Sequence, residues 1–447
     1  VQDYPAEAEN ALVVYGLEAK PPIGVSVLVG LQHVAAMVVG TITPPLILAG
    51  ILNFPAEQTA YFISIALLCS AAGVLLQCRQ RGPVGSGLLS VTGTSFSFLQ
   101  PLTQAGQMGG LALMFGMSCV TAPVVILFAP FLSRLRAVFT PVVSGTVVLL
   151  IGASLIPTAY YSLATPVYDG APGWLGLAIG MTVVAVIVLA QATGRAWLRI
   201  SAAALGVGAG CGLCWLVGGL AGPAESAGGA WLTVPRLLPH GFAFRWELVL
   251  PFVFVYLVSL LEAMGDITAT AQLSGLETRG RAHWRRLSGG VMADGILSTT
   301  SALIGGFPSA TYAQNNGVIQ ITGVASRRVG YVMAAILAVL GLMPAVGRYV
   351  TAMPAAVLGG LAMLMFGLVA VSGVRLLMKA GMGQREGVIV ALALGVGLGL
   401  PSQPGIVASL PEMARAVFES GISAGGVTAL VLNLVWPAKV VEEEAVA

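Results

Sequence analysis

Four ionisable side chains stand inside apolar segments of this chain: His33, Glu262, Asp266 and Asp294. A charged group at mid-membrane costs about 2.5–3.5 kcal/mol on insertion scales, so such groups mark solute or ion pathways by default. Glu262 and Asp266 lie four apart in Leu257-Val-Ser-Leu-Leu-Glu-Ala-Met-Gly-Asp-Ile-Thr-Ala-Thr270. That spacing puts both on one helix face, with Ser259 and Thr270 nearby. Two acids on one face repel, a setting suited to picking up and releasing a proton. Asp266 also reads as a brace for a neighbouring broken helix, which would leave Glu262 to meet solute. Asp294, between Gly290 and Gly295, is read either as a proton carrier or as an anchor for the segment that follows. His33 is either a coupling imidazole or a hydrogen-bonded structural group.

An amide-rich stretch, Pro308-Ser-Ala-Thr-Tyr-Ala-Gln-Asn-Asn-Gly-Val-Ile-Gln-Ile-Thr-Gly-Val-Ala-Ser-Arg327, occupies a place where a span is due. Irregular polar backbone at that depth survives only when it is buried in protein or lines a cavity. The first half of the chain carries a partner stretch, Gly85-Ser-Gly-Leu-Leu-Ser-Val-Thr-Gly-Thr-Ser-Phe-Ser-Phe98. Both are short, interrupted and rich in small and hydroxyl residues, the pattern of a short strand leading into a half-helix. Paired broken segments in corresponding positions are the sequence pointer to a transporter's binding site.

The elements that hold these residues are membrane spans. Hydrophobic residues make up 57% of the 447 and charged residues 9%, against roughly 25% charged in soluble domains. Spans are expected at 24–50, 58–78, 85–101, 108–132, 138–156, 174–191, 198–219, 247–272, 288–305, 308–323, 327–346, 354–372, 386–401 and 422–436. The polar link from Ala221 to Arg245 divides them seven and seven. With the N-terminus cytoplasmic, only Arg236, Arg245, Arg348 and Arg415 of the 21 Lys and Arg fall in outside loops. That asymmetry fixes the expected orientation. Odd-numbered halves enter the membrane in opposite senses, as inverted repeats require. Val1–Lys20 is polar, without the apolar core of a signal peptide.

A net charge of +3 without a basic groove argues against nucleic acid. Cys211 and Cys214 have CxxC spacing but no neighbouring His or acid, and are read as small packing residues; no metal site or disulfide framework is expected. His240 and His283 fall in expected loops, so no catalytic cluster forms with His33 and a membrane-embedded enzyme is disfavoured.

Over nearly its full length the chain resembles the nucleobase–ascorbate transporter family. The resemblance rests on Gln314-Asn-Asn-Gly-Val-Ile-Gln-Ile-Thr-Gly323, Gly30-Leu-Gln-His33, Thr94-Ser-Phe-Ser-Phe98, Glu262-Ala-Met-Gly-Asp266 and Ala293-Asp294-Gly295, in family order. It implies an all-α polytopic fold of fourteen spans in two inverted repeats, 22–220 and 245–437, with short strands in broken spans 3 and 10. Spans 1–4 and 8–11 (22–134 and 245–347) would form a core domain, and spans 5–7 and 12–14 (135–220 and 348–437) a gate domain. Also implied are an elevator-like motion, a homodimer and proton symport in a bacterial cytoplasmic membrane, both termini inside, with no cofactor.

Carried over by position, Glu262 and Gln314 would bind a base, with Phe96, Ser95 and Tyr312 around it. His33, Asp266, Asp294 and Asn315 would support proton coupling and site geometry. A planar oxopurine suits this set: a carboxylate takes adjacent ring N–H groups, an amide offers donor and acceptor, and aromatic rings pack on the faces. The Gln314 signature resembles the xanthine and uric acid branch, which leaves both purines open. Uracil and ascorbate carriers of the same family, an inorganic anion exchanger of seven-plus-seven plan and a passive channel are the alternatives. Sodium is the alternative coupling ion, since carboxylates are hard oxygen ligands.

Overall fold

Long runs of Leu, Val, Ala, Ile and Gly satisfy their own backbone groups by coiling, as hydrocarbon demands. The structure, a computed structural model, describes residues 13–132, 134, 140–219, 232–312, 314–411, 415 and 417–436. The N-terminal residues 1–12, part of the link between the halves, Lys439 and the acidic tail Glu442–Glu444 lie outside the described residues.

The first half begins with α1 (Ile23–Leu52), α2 (Ala56–Cys78), β1 (Thr92–Thr94) and α3 (Leu99–Thr121), followed by a short helix at Pro123–Phe128. It ends with α4 (Pro141–Ala164), α5 (Gly173–Ala192) and α6 (Ala202–Leu216). The second half runs α7 (Val249–Leu273), α8 (Gly280–Leu303), β2 (Ser309–Thr311), α9 (Gln314–Thr322), α10 (Arg327–Leu342), α11 (Pro344–Thr351), α12 (Ala355–Ala380), α13 (Gln384–Gly399) and α14 (Gly421–Val435). Among the described residues eight helical segments are long and apolar enough to cross a membrane, or nine if the pair α10 and α11, bent by 73°, is one span. The chain is an integral membrane protein, mostly helical.

Helix contacts sort into two groups. In one, α1, α2, α3, α7, α8, α10 and α11 surround the strands; in the other, α4 packs along α12 and α14, with α5, α6 and α13 beside them. Glycines set the closeness of the second group. A Cβ on Gly152 of α4 would stand 2.3 Å from the Ala370 nitrogen and 2.6 Å from the Phe366 oxygen of α12. Small residues permit that backbone-to-backbone approach.

The loop before β1 is fixed from the second half. Arg286 Nη1 donates to the Ser86 carbonyl at 3.2 Å and Arg327 Nε to the Gly87 carbonyl at 2.7 Å. Arg327 also meets Glu18 at 2.6 Å. Gly87 has a φ of +69°, in the left-handed region that favours glycine. Four residues expected in a loop, Arg281, His283, Arg285 and Arg286, are instead in the first two turns of α8. Their polarity hid a helix that starts well before the apolar run.

The described part of the link, 232–245, is laced onto the strand-bearing group. Thr233 N donates to Leu342 O at 2.9 Å, Leu238 N to Leu303 O at 2.7 Å and Ala243 N to Ala112 O at 3.1 Å. The His240 ring stacks on Phe115, with centroids 5.4 Å apart and planes 25° apart, and meets Phe62 edge-on.

Candidate functional site

The two interrupted segments meet as an antiparallel pair, Thr92 opposite Thr311, Gly93 opposite Ala310 and Thr94 opposite Ser309. Ser95 N donates to Pro308 O at 2.9 Å and Tyr312 N to Val91 O at 2.8 Å, so each end of the ladder is closed. All the ladder residues are buried or nearly so. Each strand feeds a helix: β1 leads through a 3-10 turn at Phe96–Phe98 into α3, and β2 leads into α9. The first N–H groups of such helices lack intrahelical partners and are free for a solute.

Helix α7 lies against this pair. Glu262 and Asp266 are only partly covered while Ala263 and Ile267, on the neighbouring face, are buried. The Glu262 carboxylate faces the Ser97 hydroxyl in the turn after β1. Asp266 Oδ2 lies 3.5 Å from Thr311 Oγ1 on β2, a long hydrogen bond. Thr270, one turn on, donates to Asn316 Oδ1 at 2.7 Å. One helix face therefore touches both strand segments, and Glu262 and Asp266 are its partly open acids.

His33 and Asn315 form a separate pair on the α1 side. Asn315 Nδ2 is 3.1 Å from His33 Nδ1 and donates to the His33 carbonyl at 3.0 Å. An accepting Nδ1 leaves the ring proton on Nε2, which is buried and has no hydrogen-bond partner among the described residues.

Asp294 lies behind the pair. Its Oδ1 accepts from Gln77 Nε2 at 2.9 Å, and the same nitrogen is 2.9 Å from Gly290 O. Gln77 Oε1 accepts from Ser86 N at 3.3 Å. Asp294, Ser259, Ser298, Ser309 and Tyr256 line a small cavity with room for about one water molecule. Ser259, expected on the Glu262 face, faces this cavity instead. Ser298 Oγ accepts from Ser309 N at 3.0 Å and so connects α8 to the first residue of β2.

Tyr312, expected to pack on a bound ring, also holds the strand pair. Its hydroxyl donates to Thr94 O at 2.7 Å and its ring lies over Gly93, where a Cβ would come within 2.5 Å of it. The side chain clamps the two strands together. Ser95 and Phe96 are buried at the end of β1, with the Phe96 ring set edge-to-face against Phe366 of α12 at 6.0 Å and 84°. Gln314 is the first residue of α9, and its side chain lies outside the described residues.

Sequence reasoning missed Gln77, Ser97, Thr311, Asn316 and Phe366. Ser97, Thr311 and Asn316 stood within quoted motifs, so their presence near the acid-bearing helix had a signal. Gln77 and Phe366 had none, the first standing at a helix end beside polar residues and the second within an apolar run. Among the described residues no group of three or more His, Cys, Asp or Glu is placed to hold a metal ion. Cys211 and Cys214 are free thiols on α6.

Residues 24–406 match the family model described as "Permease family". Xanthine permease XanP of Escherichia coli (strain K12) is 39% identical, the match covering 97% of this chain and 96% of that protein. Xanthine permease XanQ of the same organism is 38% identical over 95% and 94%. Uric acid permease PucJ of Bacillus subtilis (strain 168) is 32% identical over 90% and 91%. Among solved structures, the transmembrane domain of the cyanobacterial bicarbonate transporter BicA superposes with a TM-score of 0.58 at 15% identity, covering 90% of this chain and 96% of that one. The inward-facing murine SLC26A9 anion transporter gives 0.62 at 12% identity, covering 93% and 68%. At such identities the likeness concerns the fold alone.

Proposed function

This chain belongs to the nucleobase–ascorbate transporter family of permeases, and from that premise we propose that it carries an oxopurine, xanthine and/or uric acid, across the cytoplasmic membrane of a bacterium. It is a transporter and not an enzyme. The observation that carries the substrate reading is Glu262, a partly open acid facing the turn after β1, on the helix face that also touches β2. Its carboxylate accepts ring N–H groups of the purine edge, and Gln314, at the start of α9, supplies an amide donor and acceptor. Phe96 offers a ring face and Ser95 a small hydroxyl that leaves room for the additional oxygen of urate.

Transport in this reading is proton symport. Asp266, Asp294 and His33 serve proton uptake or hold the geometry, with Asn315 fixing His33. The plan is fourteen spans in two inverted repeats of seven, both termini cytoplasmic, in a homodimer. The strand-bearing group moves as a core against the α4–α12–α14 group as gate. The grouping of helix contacts supports that division.

An inorganic anion carrier is the second reading that the fold neighbours raise, and an acid beside the strand pair disfavours it. Uptake of labelled xanthine into cells lacking their own purine permeases tests the proposal, with unlabelled urate, uracil, ascorbate and bicarbonate as competitors. We expect competition by urate, none by bicarbonate, and loss of accumulation with a protonophore. Accumulation blocked by bicarbonate and indifferent to purines would overturn it.

A further inference from the structure

Arginines from three stretches of chain come together where α2 ends and α8 and α10 begin: Arg79, Arg81, Arg285, Arg286 and Arg327. Gly85 N donates to Gly289 O at 2.8 Å, which lays the loop after α2 against α8. The Arg79 guanidinium lies 5.4 Å from the Tyr331 ring centre on α10. A Cβ on Gly87 would stand 2.8 Å from Arg327 Nη2 and 3.3 Å from Arg286 Nη1. Two guanidiniums therefore flank one point of the loop. Arg81 and Val84 close a tight turn beside them, and Arg281 stands one turn before Arg285.

Counter-charge is scarce at this end. Glu18 meets Arg327 at 2.6 Å. Among the described residues the exposed Arg79, Arg81, Arg281 and Arg285 have neither an ion pair nor a side-chain hydrogen bond. Glu277, in the turn before α8, is followed by a further exposed arginine, Arg279. Like charges held this close repel, and an anion seated over them relieves the repulsion. The surroundings select the anion. These arginines stand at the ends of apolar helices, and Trp284 and Tyr331 are exposed beside them, as aromatic residues are at a membrane–water boundary. A lipid phosphate lies at that depth.

We propose that this arginine cluster binds an anionic phospholipid, its phosphate headgroup seated over Arg79, Arg81 and Arg285. The site is separate from the strand pair and independent of the oxopurine reading. A lipid there shields Arg286 from Arg327, the two side chains that fasten the loop entering β1.

The test titrates phosphatidylglycerol, with phosphatidylcholine as its zwitterionic counterpart, into the detergent-purified full chain and counts bound lipid by native mass spectrometry. We expect phosphatidylglycerol to bind wild type more tightly than phosphatidylcholine, and more weakly as salt rises. Each guanidinium near a lipid surface contributes about fivefold, so Arg79→Gln/Arg81→Gln/Arg285→Gln should lose about a hundredfold in affinity. Arg236→Gln/Arg348→Gln removes charge beyond the far ends of α8 and α10 and should bind like wild type.

Equal affinity of wild type for the two lipids, an undiminished triple variant, or a control pair that loses as much overturns the inference. Displacement of the lipid by inorganic phosphate at constant ionic strength shows a free-anion site and overturns it too. So does lipid binding that appears only once Glu442, Glu443 and Glu444 are changed to Gln, the sign of an acidic tail already seated there. Should the triple variant not fold, Arg285→Gln replaces it; a loss of about fivefold is expected and no loss overturns the inference. No purine enters the assay, so failure here leaves the transport reading standing, and failed xanthine uptake leaves this site standing.

Discussion

Gln77 donates to Asp294 Oδ1 at 2.9 Å from a helix 217 positions earlier in the chain. Three hydrogen bonds converge on this one amide, to Asp294, to the Gly290 carbonyl and from the Ser86 N–H. It joins α2, α8 and the loop entering β1, while the second Asp294 oxygen has no hydrogen-bond partner among the described residues.

Replacing Gln77 with Leu removes the donor and leaves buried acceptors bare, at a cost of about 1–3 kcal/mol for each unsatisfied group. We expect Gln77→Leu to lower the melting temperature of the purified protein and to reduce xanthine uptake about tenfold or more. Uptake and stability like those of wild type would show that Asp294 keeps its place without Gln77.

Glu262→Gln keeps the shape of the side chain and removes its charge. Hydrogen bonds to a charged group are worth about 1.5–3 kcal/mol each. We expect the variant to reach the membrane in normal amount and to show no measurable binding of xanthine or urate in a scintillation proximity assay. Binding at wild-type affinity would take Glu262 out of the site.

Tyr312→Phe separates a strand clamp from a substrate contact. Loss of the bond to Thr94 O leaves a buried carbonyl short of a partner and lowers stability by about 1–2 kcal/mol. The ranking of xanthine, urate and methylxanthines as competitors should not change. A changed ranking at unchanged stability would return Tyr312 to the face of the bound ring.

His240, in the loop between the halves, has its affinity for a proton lowered by burial among aromatic rings. Its folded value lies below the ordinary value of about 6.5, so the unfolded chain takes up a proton that the folded chain refuses. The contribution is complete above about pH 6.5 and is lost as pH falls through the window beneath it. Thermal unfolding at pH 7.5 and 5.5 should show a smaller acid-induced drop for His240→Phe than for wild type. Equal drops would exclude His240 as a source.

The broken segments were legible because polar, glycine-rich chain cannot face lipid, and their small and hydroxyl residues left room only for short extended backbone. Glu262 and Asp266 were legible for the same reason, as acids in an apolar run. The strand-holding contact of Tyr312 was not legible: a sequence does not show that its hydroxyl reaches the Thr94 carbonyl and its ring lies over Gly93. Gln77 sits one residue from the end of α2, where a polar side chain resembles the start of a loop. Phe366 lies in a helix apolar on every side, so no periodicity told which face it presents. The early start of α8 was hidden by Arg281, Arg285 and Arg286, whose charges read as a loop while their backbone is already coiled.

The three-residue ladder between Thr92–Thr94 and Ser309–Thr311 has a consequence for biosynthesis. Among the described residues neither strand has a mate within its own half, so the N–H and C=O groups of the first wait for more than two hundred further residues to leave the ribosome. Over that interval the nascent chain must shelter them from hydrocarbon by keeping the early helices loosely gathered around water or the insertion machinery. The strand pair therefore closes only after Ser309–Thr311 has been made, late in the synthesis of the chain.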